Sequence, residues 1–448
     1  MSRWIQLAAG LVAVAIAPIG ARAQPLTLRA ATGEVLEKNP AMAAATARRD
    51  EAVAHLREAR ASWLPRIEAS ETVVRGDNPG FVFGSLLEQG RFSPAHFDPA
   101  FLNDPGALTN VRAGVTARLA VFDQFHRLDA TKQAGNRVDR SNDASEETRQ
   151  RMHAETIRAF YGLLVARDRR SVAENAERTA ESDAKAMRDR FEQGLIVESD
   201  TLSADVQLAA FRQRRIEAEG EEAIAVAMLA TLLQRPVVAS IVVEGSLPEK
   251  TFSPSPLEAM IARGLTNRGD VRIAGSAADD ARLAVHSARG SLLPRIDAFA
   301  TWGASGTSVT GQNPDRAAGL VVSIDLFDGR KYARIGAARA AEATARAEAV
   351  MARDRVTMEI VTAWHRERAA RERVAVAEAG VASATAAARI IRDRYENGLT
   401  TISEHLRAQT ALVTSRLDLL ESRFASTISY AELLRATGEL HDVEDFHH

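Results

Sequence analysis

Ser62-Trp-Leu-Pro-Arg-Ile-Glu68 returns, almost unchanged, as Ser291-Leu-Leu-Pro-Arg-Ile-Asp297. A second phrase, Arg188-Asp-Arg-Phe-Glu-Gln-Gly-Leu195, returns as Arg392-Asp-Arg-Tyr-Glu-Asn-Gly-Leu399. The two phrases keep their order in both halves, so one structural unit is used twice. In the first phrase a proline follows an Ala- and Arg-rich stretch. The residue before a proline resists the helix, so a helix is predicted to end there and a strand to begin. In the second phrase a glycine stands where a helix can stop in a left-handed cap.

Working outward, each half reads helix, strand, strand, long helix, tight turn, helix. The opening helices are expected at residues 26–61, interrupted at Asn39-Pro40, and at 257–289. Candidate strands are residues 67–74 with 111–121, and 296–302 with 320–327. In the second of these, Val111, Ala113, Val115, Ala117, Leu119 and Val121 alternate with Arg112, Gly114, Thr116 and Arg118. Such alternation fits a membrane barrel strand with an apolar outside and a polar lumen, and equally a half-buried strand of a soluble sheet. The loop at 76–110 is long and rich in Gly, Pro, Asn and Phe, whereas the loop at 303–318 is short. That insertion lowers the spacing between repeated phrases from 229 residues before the strands to 204 after them.

Residues 125–192 and 331–396 form the long outgoing helices, and 200–233 and 403–436 the returning ones. At 1.5 Å per residue the outgoing helices reach roughly 100 Å. Sparse apolar stripes among Ala, Arg and Glu suit lengthwise helix-on-helix packing. The organisation is therefore a first repeat at 24–235, a linker at 236–256 with a β-rich patch at 237–243, a second repeat at 257–438 and a tail at 439–448.

The 448 residues carry a net charge of −2 and no cysteine. Disulfides, thiolate metal sites and cysteine nucleophiles are excluded together, and no basic field marks a nucleic-acid partner. No Walker loop, G-x-G-x-x-G, G-x-S-x-G or H-E-x-x-H occurs, so no enzyme, cofactor or metal site is expected. His447-His448 reads as a mobile tail rather than a metal site.

Arg3, the apolar run 4–19 and Ala21-Arg22-Ala23 form a secretory signal peptide at 1–23. An uncleaved anchor is the alternative, against which the run is short. Cleavage removes Arg3 and Arg22 and takes the charge from −2 to −4. No later segment has about 20 unbroken apolar residues, so an exported chain that enters a membrane must do so as β-structure. Four strands in an open sheet would leave unpaired edges in lipid. Closure must come from other copies, and three chains make a twelve-stranded barrel.

The doubled Leu-Pro-Arg-Ile junctions, Leu326-Phe327-Asp328-Gly329, its degraded copy Val121-Phe122-Asp123-Gln124 and the two Glu-x-Gly-Leu turns together resemble the outer membrane efflux proteins, the TolC-like outer membrane factors. The resemblance covers nearly the whole mature chain. It implies a mainly α fold with a β-barrel portion. A homotrimeric, twelve-stranded barrel in outer-membrane lipid would be continued by a periplasmic α-helical barrel. It implies a passive exit duct that docks to a periplasmic adaptor and to an inner-membrane RND, ABC or MFS transporter.

Carried onto this chain, the resemblance puts Gly194, Leu195, Gly398 and Leu399 at the periplasmic tip where the adaptor docks. The alternative is an ordinary helix cap with a buried leucine. It puts Asp200 and Glu404 at the pore constriction. Arg407 stands one turn beyond Glu404, where it can pair with that carboxylate. Arg112, Arg118, Asp297 and Asp325 are expected to face the barrel lumen, and the 76–110 loop the cell exterior. The competing reading is an exported coiled-coil scaffold or periplasmic adaptor without membrane strands.

Overall fold

The structure is a computed structural model that describes residues 25–238, 241–248, 254–310 and 313–446. The expected signal peptide, part of the 236–256 linker and His447-His448 lie outside these residues. The first half runs α1 (Leu28–Lys38), α2 (Pro40–Ala61), β1 (Arg66–Gly76), α3 (Pro79–Glu88), α4 (Pro99–Asn103), β2 (Leu108–Phe122), α5 (His126–Glu192) and α6 (Glu198–Leu232). The second runs α7 (Leu257–Asn267), α8 (Gly269–Gly290), β3 (Arg295–Gly306), β4 (Asn313–Ser323), α9 (Gly329–Glu396) and α10 (Ile402–Ala436).

Local chemistry accounts for the breaks. The Asn39 side chain accepts the Ala41 N–H at 2.9 Å and caps α2. Pro40 occupies the first helical position, where no amide donor is needed. The break between α7 and α8, expected as one helix, falls at Arg268, which lies 229 residues after Asn39. Here no Asn-Pro signal is present. The buried Arg268 guanidinium instead donates to Asp270 and Glu359 at 2.7 and 2.9 Å. Both Pro65 and Pro294 are followed at once by a strand.

The four strands form one antiparallel sheet in the order β1-β2-β3-β4, with β1 and β4 as edges. The register places Glu68, Thr72, Arg112, Thr116, Arg118, Asp297, Thr301 and Asp315 on one face. The other face carries Ile67, Val73, Val115, Trp302, Leu320 and Val322, all exposed. β4 starts earlier than the alternation suggested and ends at Ser323. Its Pro314 stands at the very start of the strand, where a missing ladder donor is tolerated. Asp325 therefore lies beyond the sheet, in the junction to α9, paired with Lys331 at 2.8 Å. Its expected place on a strand facing a lumen is corrected accordingly.

The long helices form a layer in the order α6-α5-α10-α9. The 67 residues of α5 and 68 of α9 extend about 100 Å. α9 contains one 18-residue window apolar enough to cross a bilayer, which the unbroken-run criterion passes over. The helix is alanine-rich and packs lengthwise against α8 and α10. The main core lies where α1, α5, α6 and α10 meet, around Val35, Ile157, Phe160, Leu163, Leu229 and Leu233. The linker's Ile241 and Val243 join it, the latter region through a single parallel bridge between Leu26 and Val243. The described part of the tail is tucked in as well: Leu440, Val443 and Phe446 are buried, and Arg29 pairs with Glu444 at 2.8 Å.

Candidate functional site: hairpin tips and the strand faces

Both hairpins turn by the same device. Gly194 (φ +71) and Gly398 (φ +69) are left-handed. Gly194 N–H donates to Phe191 O at 2.8 Å and Leu195 N–H to Arg190 O at 3.0 Å. In the second copy Gly398 donates to Tyr395 O at 3.0 Å and Leu399 to Arg394 O at 2.8 Å. This paired closure satisfies the last helical carbonyls, and only glycine takes the central position without strain. The two leucines are not buried by it: Leu195 is 68% exposed and Leu399 67%. The reading of a cap with a buried leucine does not describe these turns.

A small core fixes the tips side by side. Ala184, Met187, Ile196 and Ala204 of the first hairpin meet Tyr395, Ile402 and Leu406 of the second. His405 is buried and stacks on Tyr395, with ring centroids 5.1 Å apart. It lies 3.5 Å from Asp183 of α5, and Gln409 bonds to both. Reading the sequence missed this bridge, because Asp183 and His405 lie in different repeats and at positions that do not correspond.

Asp200 and Glu404 lie in the first turns of α6 and α10. Thr401 caps α10 by accepting the Glu404 N–H at 3.3 Å, and the Thr400 hydroxyl donates to the Glu404 carboxylate. Glu404 and Arg407 are both exposed. Among the described residues no ion pair joins them, so the expected Arg407–Glu404 pair is absent.

On the polar strand face, Arg112 grips Asp315 with both arms of its guanidinium, at 2.6 and 2.9 Å. Asp297 is held by Arg295 at 2.8 and 3.1 Å. Arg118 shares the face without joining either pair. Among the described residues no cluster of His, Cys, Asp and Glu could hold a metal ion.

A sheet with one apolar and one polar face, continued by paired helices of about 100 Å, defines the class of outer-membrane ducts with a helical tunnel. The family model described as outer membrane efflux protein matches residues 31–234 and 260–439. The chain belongs to the outer membrane efflux protein family. Protein CyaE of Bordetella pertussis is 27% identical over 399 residues, covering 87% of this chain and 83% of that one. Outer membrane efflux protein BepC of Brucella suis is 23% identical over 399 residues, covering 85% and 78%. The crystal structure of the Campylobacter jejuni CmeC outer membrane channel superposes with a TM-score of 0.80 at 16% identity, over 92% of this chain and 85% of that one. The protein is an outer-membrane channel component of the efflux and secretion type, seated in a Gram-negative outer membrane and extending into the periplasm. The scaffold reading without membrane strands gives way to this.

Proposed function

We propose that three copies of the chain close into a passive exit duct that docks, by its hairpin tips, to a periplasmic adaptor coupled to an inner-membrane RND, ABC or MFS transporter. The observation that carries the reading is the matched incompleteness of the two layers. In the sheet, β1 and β4 are unpaired edges. In the helical layer the outer members α6 and α9 carry exposed apolar side chains, Val206, Ile216 and Met228 on one and Val350, Met358 and Val376 on the other. Unpaired backbone in lipid and a row of exposed apolar residues both call for a partner. Because the strands alternate antiparallel, β4 of one copy can pair with β1 of the next, and α9 can lie against α6. The polar strand face, with Arg112, Arg118 and Asp297, then lines the lumen. Gly194, Leu195, Gly398 and Leu399 present the docking surface, and Asp200 and Glu404 form carboxylate rings at the constriction.

The test is extraction of the outer-membrane protein in detergent. A heat-modifiable trimer that conducts ions in planar bilayers supports the duct. A monomer that is soluble without detergent and does not conduct would sink it.

A further inference from the structure

The segment between β1 and β2 does not stand away from the sheet. It folds back across the polar face. α3 buries Val82, Ser85 and Leu86, and its last turn is tied to three strands. The Glu88 carboxylate accepts from Asn110 at 3.1 Å and from Ser305 at 3.4 Å, and faces Arg112 at 3.8 Å. The Glu88 carbonyl accepts from the Asn313 amide at 3.0 Å. Gln89 donates to the Thr109 carbonyl and the Asn110 side chain, both at 3.0 Å. Gln89, Asn110 and Ser305 are 7%, 8% and 0% exposed, so the network has a buried side, while the Glu88 carboxylate at its centre stays about half exposed. Gly90 (φ +65) turns the chain there, and a Cβ on it would meet Asn313 at 3.3 Å. Across the turn Phe83 stacks edge to face on Phe92 at 4.8 Å, and Phe92 on Phe97 at 5.1 Å, which stiffens the segment.

We infer that residues 77–107 are a lid folded into the outer mouth of the duct, latched through Glu88 to Asn110, Arg112, Ser305 and Asn313. The inference rests on the polar face being the lumen. Twelve strands spaced about 4.8 Å apart and tilted about 40° close on a backbone diameter of about 24 Å. Three helices about 10 Å across, one per copy and all on the inner wall, leave only narrow gaps in such an opening. Among the described residues, the β3–β4 turn has no such insertion. The lid therefore comes from the first repeat alone.

The absence of native cysteine makes the test clean. Thr301→Cys places one thiol on the polar face, inward of the latch. Intact cells are treated with a small methanethiosulfonate or with a polyethylene-glycol maleimide too large for the gaps. Each is compared with a chain whose residues 79–103 are replaced by a short Gly-Ser turn, and with the paired substitutions Glu88→Ala and Asn313→Ala, which keep the segment. A lid that opens to a minor state slows the large reagent about tenfold or more. The small reagent should label every version, and the large one should speed up by that factor when the lid is removed or unlatched. Should the replacement fail to give heat-modifiable trimers, the paired substitutions decide alone. Equal rates for the large reagent in conducting trimers overturn the lid and leave the duct standing. A thiol inert to the small reagent in every trimer means that the polar face is not the lumen, and the duct reading falls with the lid.

Discussion

A Cβ atom on Gly290 would lie 2.2 Å from the carbonyl oxygen of Gln124. Only the absent side chain lets the end of α8 approach the junction between β2 and α5 this closely. Gln124 and Phe125 are both left-handed, at φ +62 and +70, and the Gln124 amide donates to the carbonyls of Ser291 and Leu293. The repeat has glycine at the corresponding place, Gly329, so a side chain that bonds across the junction stands where its copy has none.

Gly290→Ala should therefore be severe. The obstacle is backbone, which cannot swing aside, and overpacking of this kind costs about 1–3 kcal/mol. Gln124→Gly should be nearly neutral, since relief of the left-handed strain offsets two lost hydrogen bonds. Melting of the detergent-extracted protein checks both. Equal losses for the two variants would contradict the close approach at this junction.

The exposed leucines at the tips make a different prediction. A surface substitution away from packed features changes stability by about 0.5 kcal/mol or less, so Leu195→Asp and Leu399→Asp should leave melting and heat-modifiability intact. Cross-linking to the proposed periplasmic adaptor in intact cells should fall sharply for either and vanish for the pair. Undiminished cross-linking in the double variant would remove the tips from the docking surface.

The alternation of Val111 to Leu119 and the paired prolines were enough to read four strands and two hairpins, because each rests on a local rule that the fold does not override. The segment at 76–110 was read only as a loop, although Asn78-Pro79, Ser93-Pro94 and Asp98-Pro99 each place a cap residue before a proline suited to a helix start. Those signals were legible, but the runs they open are too short for periodicity to show. The break at Arg268 and the latch on Glu88 were not legible. Both depend on partners far along the chain, Glu359 for one and Asn313 for the other. Asp325 was misplaced because apolar alternation runs on through Ile324 and Leu326 after the hydrogen-bonded ladder has ended.

His153 supplies a pH prediction. It is buried in α5, and neither ring nitrogen has a hydrogen-bond partner among the described residues. Burial pushes its pKa below the usual imidazole value. Arg149 and His441 add to the shift, and Glu146 and Asp442 oppose it. The unfolded chain then binds the proton first, so stability falls as pH drops below about 6.5 toward the depressed folded value. His153→Leu should narrow the difference between melting temperatures measured near neutral pH and near pH 5. An unchanged difference would assign the acid sensitivity to other groups.

The proposed carboxylate ring at the constriction gives the sharpest electrical test. Glu404 sits in the first turn of α10, where the helix dipole favours a negative charge, and Thr400 and Thr401 fix its position. Arg407, exposed and unpaired with it, does not neutralise it. In the proposed trimer three such carboxylates would face one axis. At contact distance in water each contributes about 1 kcal/mol toward a bound monovalent cation, so the three together are equivalent to roughly a hundredfold in affinity, and more for a multivalent ion. Glu404→Gln keeps the backbone cap and removes the charge. It should therefore weaken block of the single-channel current by a multivalent cation by roughly a hundredfold or more without changing the melting temperature. Arg407→Ala should leave the block near its original strength, because the arginine does not pair with the ring. If Arg407→Ala shifts the block as far as Glu404→Gln does, the two side chains act as a pair in the assembled channel and the free carboxylate ring is wrong.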